Sequence, residues 1–157
     1  MGEDGSSGRF HHVQVERIEM SAINNTVSRL SLAVSALVLA AGGIVHGLHF
    51  TNASNVVAHS DLKPFFATAF NALWLADSAT SIVMAIVFAA LAARPGWATR
   101  PLIAILALVP IASAVVIYAT MGAFFAGHVM LAAGAAALVG AAYKGSVTTK
   151  ELRPSSI

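Results

Sequence analysis

The chain has 157 residues, of which 57% are hydrophobic and 10% are charged, and its formal net charge is +2. Ordinary globular domains are about 45–50% apolar and about 25% charged, so a soluble fold of this size would leave much apolar surface in water. The basic residues stand singly between apolar runs, which excludes a nucleic-acid surface, and the absence of cysteine excludes disulfides, iron–sulfur clusters and thiol nucleophiles.

The first part of the chain, residues 1–29, is polar and has no apolar run of membrane-spanning length. Its opening stretch GEDGSSG is rich in glycine, serine and acidic residues, a composition typical of disorder. We therefore expect a disordered, polar N-terminal tail. Asn24, Asn25 and Thr26 are suited to cap a helix that begins just after them.

Four apolar runs follow the tail, and each is long enough to cross a bilayer. About 20 helical residues at 1.5 Å per residue cover a hydrocarbon core of about 30 Å. The predicted spans within the domain 30–143 are 30–50, 65–93, 101–119 and 123–143. The sequence therefore predicts an all-α integral membrane protein, with four transmembrane helices that form an antiparallel four-helix bundle.

The connections between the spans indicate how the chain is oriented. Residues 51–64 are expected to form a polar loop, and residues 144–157 a polar C-terminal tail. In a four-span topology all the basic residues from Arg17 to Arg153 fall on one side except Lys63. Cytoplasmic segments of membrane proteins carry an excess of lysine and arginine. We therefore expect both termini in the cytoplasm and a multi-pass location in a bacterial inner membrane.

Small residues and one proline mark how the spans should pack. Gly43 and Gly47 in the first span, and a ridge of Ala132, Ala136 and Gly140 in the last, would let helix backbones approach closely. The proline inside the third span predicts a kink there.

Asp77 is an acid well inside the second span. It follows Phe65 by 12 residues, so it lies about 18 Å along the helix, near the expected midplane. An ionised carboxylate at that depth costs about 3 kcal/mol on insertion scales. Asn71 and Ser78 offer neighbouring polar groups. Two interpretations stay open: a proton or cation site, or a structural acid that hydrogen-bonds across helices.

Three histidines lie near the extracytoplasmic ends of two different spans. His46 and His49 are on one face of the first span, and His128 is near the start of the last. His46 and His128 on facing helices would suit the axial ligation of haem b. All three together, with His59 as a further ligand, would suit copper or zinc. Hydrogen bonding to headgroups or loops is the alternative.

The sequence contains no phosphate-binding loop, zinc-protease motif or nucleophile elbow. We therefore predict a non-enzymatic accessory or partner-binding subunit, which associates with the lipid bilayer and with itself or a larger membrane complex. Two alternatives remain: a haem- or quinone-linked redox component that uses His46 and His128, and a small proton- or ion-coupled carrier that uses Asp77.

Overall fold

The computed structural model describes the backbone of residues 7–145 and the side chains of residues 19–145. It contains five helices: α1, Ser7–Leu48; α2, Phe50–Ala58; α3, Pro64–Ala93; α4, Arg100–Met121; and α5, Phe125–Tyr143. No strand occurs within residues 7–145. Four helical stretches are long and apolar enough to cross a membrane, namely Glu19–Ala58, Pro64–Ala93, Arg100–Met121 and Phe125–Tyr143. The prediction of an all-helical chain with four apolar helices of spanning length is therefore confirmed.

The outer surface of the four long helices is apolar. Large side chains on each helix point away from the core, including Leu37, Ile86, Ile105 and Leu131. The core between the helices contains Leu32, Leu39, Phe88 and Ile103, all at most 1% exposed. A protein that is apolar outside as well as inside is suited to a lipid environment.

The helices pack in the order α3, α1, α5, α4, and each closely packed pair is antiparallel. α1 packs against both α3 and α5, and α5 packs against α4. The helices α3 and α4 are consecutive in the chain, yet they approach each other less closely than these pairs do. A cleft between α3 and α4 results.

Two serines fix the register of α1 against α5. The Oγ atom of Ser28 donates a hydrogen bond to the carbonyl oxygen of Gly140 at 2.8 Å, and Ser35 donates to Ala133 at 2.9 Å. Ser35 follows Ser28 by seven residues along α1, and Ala133 precedes Gly140 by seven residues along α5, as expected for antiparallel helices. Both serines are at most 1% exposed, so their hydroxyls are satisfied inside the bundle instead of facing lipid.

Basic side chains connect the helices at the end of the bundle opposite to His46. Arg29 donates from Nε to the carbonyl oxygen of Ala92 at 3.0 Å. Lys144, just after α5, donates to Asn25 on α1 at 3.4 Å and to the carbonyl oxygen of Pro95 at 2.8 Å. We call this group of contacts the basic layer.

Several boundaries differ from the sequence-based prediction. α1 begins at Ser7 instead of Leu30, so the described part of the predicted disordered tail, from residue 7, is helical. The predicted loop 51–64 contains α2. Its polar residues obscure the helical spacing of its apolar residues in the sequence. Residues 1–6 and 146–157, which hold the rest of both predicted tails, lie outside the described residues.

The buried ridge of α5 is shifted by one residue from the predicted one. Ala132 is exposed, whereas Ala133, Ala137 and Ala141 are buried together with Gly140. Eleven of the 19 residues of α5 are alanine or glycine, so the composition does not distinguish one face of the helix from another. The predicted kink at Pro110 stays a prediction, and the residue lies within α4 without interrupting the helix.

Candidate functional site

An imidazole and a carboxylate meet between α1 and α3. The Nε2 atom of His46 lies 3.6 Å from Oδ2 of Asp77. The side chains remain 30% and 48% exposed, respectively, so the pair is not sealed inside the bundle. The sequence singled out both residues, but it treated them as members of two separate candidate sites.

Trp74 holds His46 in place at two points. Its indole ring stacks on the imidazole with 4.0 Å between ring centroids and 11° between planes. Its Nε1–H also donates to the backbone carbonyl oxygen of His46 at 2.9 Å. Ser78 in turn donates from Oγ to the carbonyl oxygen of Trp74 at 3.2 Å. No motif in the sequence pointed to Trp74, although its position three residues before Asp77 puts the two side chains on one side of α3.

Close packing of α1 against α3 brings these groups together. A Cβ atom added at Gly43 would lie 3.0 Å from Cβ of Ser81 and 3.1 Å from the carbonyl oxygen of Ser78. One turn later, a Cβ at Gly47 would lie 3.7 Å from Oγ of Ser78. The predicted glycine groove is therefore the surface on which α3 packs, and it sets the distance between His46 and Asp77.

Asp77 also lines the cleft between α3 and α4. The cleft is about half open, and the space within it is about 10 Å³, which is about what one water molecule requires. All four long helices contribute to its walls: Leu39 from α1, Asp77, Thr80, Ser81 and Met84 from α3, Val109, Pro110 and Ser113 from α4, and Met130 from α5. The carboxylate is the single charged group among these lining residues.

The pair lies near one end of the bundle. His46 follows Arg29 by 17 residues, or about 26 Å along α1. Asp77 precedes Ala92, the partner of Arg29, by 15 residues, or about 22 Å along α3. A hydrocarbon core about 30 Å thick that begins at the basic layer would end a few ångströms beyond the pair. By this measure Asp77 lies about midway between the midplane and the outer boundary of such a core.

Asn71 and Ser78 occupy different surroundings from Asp77. The Oδ1 atom of Asn71 is buried without a hydrogen-bond partner among the described residues. Ser78 is buried against the glycine groove and bonds within its own helix. Neither residue lines the cleft, so the structure does not group them with Asp77 around a common space.

The other histidines form local contacts of their own. His128 donates from Nδ1 to the carbonyl oxygen of Phe124 at 3.0 Å, and its ring meets that of Tyr118 edge-on at 5.4 Å. His49 and His59 make the same bond to Val45 and Asn55 at 2.8 and 2.7 Å. The Nδ1–H bond leaves Nε2 of each neutral ring as an acceptor.

The structure pairs His46 with Asp77 and Trp74, and His128 with Tyr118. No group of three or more histidine, aspartate or glutamate side chains that could hold a metal ion occurs among the described residues. The haem and metal hypotheses stay predictions. Comparison of the chain with protein-family models, with curated proteins and with solved structures finds no match.

Proposed function

We propose that the chain is an antiparallel four-helix bundle in a bacterial inner membrane, with both termini in the cytoplasm. The distribution of basic residues supports this orientation. Arg29, Arg94, Arg100 and Lys144 lie at the end of the bundle that carries the basic layer. Arg94 also stacks over the ring of Trp97 at 4.4 Å. Basic residues beside an aromatic side chain are typical of the cytoplasmic interface of a membrane protein.

Within that membrane we propose a non-enzymatic role, as a subunit that binds a transmembrane helix of another polypeptide chain. The observation that supports this role is the cleft between α3 and α4. Asp77 and Thr80 on its α3 wall are exposed, and Ser113 on its α4 wall is half-buried. Polar side chains that face lipid are costly, and they generally contact protein or a water-filled space instead. A helix packed across the mouth of the cleft would cover them.

The test is the mass of the full chain after extraction in a mild detergent, measured by native mass spectrometry. We expect an assembly larger than one chain. Ser113→Trp would project from the mouth of the cleft into the space of a partner helix and should reduce the assembled fraction at least fivefold. Val115→Trp is the matched control, because Val115 is 60% exposed and lies on the opposite flank of α4. A strictly monomeric parent protein with no co-purifying partner would contradict the proposal.

A second candidate function is a small proton- or ion-coupled carrier that depends on Asp77. The half-exposed carboxylate beside His46 favours it, because an acid and an imidazole in contact can exchange a proton. In proteoliposomes, Asp77→Asn should then abolish flux while the variant keeps the unfolding temperature of the parent. Equal flux in both proteins would exclude this role for Asp77.

A further inference from the structure

The outer half of α3 carries one row of side chains with heptad spacing. Phe66, Phe70, Leu73, Asp77 and Thr80 follow one another at intervals of four, three, four and three residues. We call this row the α3 seam. A repeat of 3.5 residues keeps a row on the contact face when two helices coil around each other with a left-handed twist.

The bundle itself leaves the α3 seam uncovered. Leu73 is 70% exposed, and every other member of the seam is exposed as well. The next residue in the repeat, Met84, is only 8% exposed because it packs in the bundle core. The free part of the row therefore ends at Thr80, about one helix turn below Asp77.

We propose that a second copy of this chain packs against the α3 seam, so that two chains form a parallel dimer about a two-fold axis normal to the membrane. This assignment rests on the function proposed above and names the partner. In such a dimer the α3 helices of the two copies lie side by side in their outer halves. Each residue of the seam meets the same row of the partner copy.

The polar groups around Asp77 in one chain are complementary to the same groups in a second copy of the chain. A two-fold axis normal to the membrane repeats every residue at the same depth, and its interface is the same patch on both subunits. His46 and Asp77 are in contact and both remain partly exposed. Each copy therefore presents one imidazole and one carboxylate at the same depth, and the imidazole of one copy can donate to the carboxylate of the other.

This arrangement resolves the repulsion that a seam with Asp77 at its centre would otherwise cause. Two unpaired carboxylates facing each other cannot both stay ionised at low cost. No other titratable side chain lines the cleft beside Asp77, so His46 is the neighbouring group that can balance its charge there. A partner helix with its own lysine or arginine would have to compete with an imidazole that already lies 3.6 Å away.

The absence of cysteine in the natural sequence allows a direct test by cross-linking in the native membrane. Leu73→Cys puts one thiol on the seam. Leu75→Cys is the matched control, because Leu75 is also exposed and lies two residues on, towards the opposite face of α3. After mild oxidation with copper phenanthroline we expect at least tenfold more disulfide-linked dimer from Leu73→Cys than from Leu75→Cys.

A second set of variants tests the charge argument in the Leu73→Cys background. Asp77→His leaves two imidazoles and no carboxylate in each copy, and should lower the yield of dimer at least fivefold. The exchange of both residues, His46→Asp with Asp77→His, restores one acid and one base per copy and should restore most of the yield. Equal yields from all three proteins would overturn the part assigned to the pair.

Photocross-linking from position 73 tests separately whether a partner lies against the α3 seam and which chain that partner is. The photoreactive p-benzoylphenylalanine in place of Leu73 captures whichever chain lies against the seam. An adduct of twice the chain's mass supports the second copy. An adduct with a different polypeptide overturns the second copy but leaves the partner-binding function standing. No adduct, together with a monomeric native mass, contradicts both.

Discussion

The imidazole ring of His46 lies flat on the indole ring of Trp74, and the same indole N–H donates to the backbone carbonyl of His46. One side chain of α3 therefore fixes both the ring plane of His46 and the end of α1 that carries it. This contact directs Nε2 towards Asp77. Without Trp74 the imidazole would be free to adopt other rotamers, and the contact with the carboxylate would be one arrangement among several.

Replacement of Trp74 should therefore weaken the outer end of the bundle. Trp74→Phe keeps an aromatic ring but removes the N–H donor, and interhelical hydrogen bonds in membrane proteins contribute roughly 0.6 kcal/mol on average. We expect a lower unfolding temperature in detergent by circular dichroism. Trp97→Phe is the control, because Trp97 is 57% exposed and should change the temperature little. Equal effects of the two variants would contradict the role of Trp74.

The two buried serines of α1 provide a second prediction. Ser28→Ala and Ser35→Ala each remove one hydroxyl that bonds to a carbonyl of α5, and each should cost roughly 0.6 kcal/mol. The serines are about 10 Å apart along the helix, so the effects should add in the double variant. Ser31→Ala is the control, since Ser31 is only half-buried. Chemical unfolding measured by tryptophan fluorescence gives the free energies, and a neutral double variant would refute the argument.

The two glycines of the α1 groove should respond differently to alanine. At Gly43 the added methyl group would meet Ser81 and the Ser78 carbonyl oxygen at 3.0 and 3.1 Å, so the helices must separate at a cost of about 1–3 kcal/mol. At Gly47 the nearest atom is 3.7 Å away, an ordinary contact distance. We expect Gly43→Ala to lower the unfolding temperature and Gly47→Ala to leave it unchanged or raise it slightly. The reverse order would show that α1 and α3 pack in a different register.

The sequence predicted the number of long apolar helices and the ends of α3, α4 and α5 closely, but not the start of α1. Long apolar runs and charged connectors carry that information directly. Pro64 and Gly122 mark true helix boundaries. The glycine groove was also predictable, since Gly43 and Gly47 are one turn apart. The rotation of each helix about its own axis could not be predicted from the sequence. The one-residue shift of the α5 ridge to Ala133 shows this, because alanines on all faces look alike in sequence.

The same limit explains what was missed at the candidate site. Asp77 and His46 each stood out as polar residues in apolar runs, but their contact depends on the depth of α3 relative to α1. That offset is set by the length of α3, which continues beyond the bilayer thickness, and by the α2 helix in the predicted loop. The length of α3 was predicted almost as observed, over 65–93, but α2 was not. With the depth counted from Phe65 alone, Asp77 was assigned to the midplane and His46 to the outer end.

Site-directed labelling can determine the topology, again because the chain has no natural cysteine. Asn55→Cys introduces an exposed thiol in α2, and Gly96→Cys introduces one in the connector between α3 and α4, where no other atom lies within 4 Å of an added Cβ. With both termini in the cytoplasm, a membrane-impermeant maleimide should label Asn55→Cys in intact cells and Gly96→Cys only after permeabilisation. The basic layer is the physical reason, since lysine and arginine are retained on the cytoplasmic side. Labelling of Gly96→Cys in intact cells would reverse the orientation, and labelling of both would rule out the four-span topology.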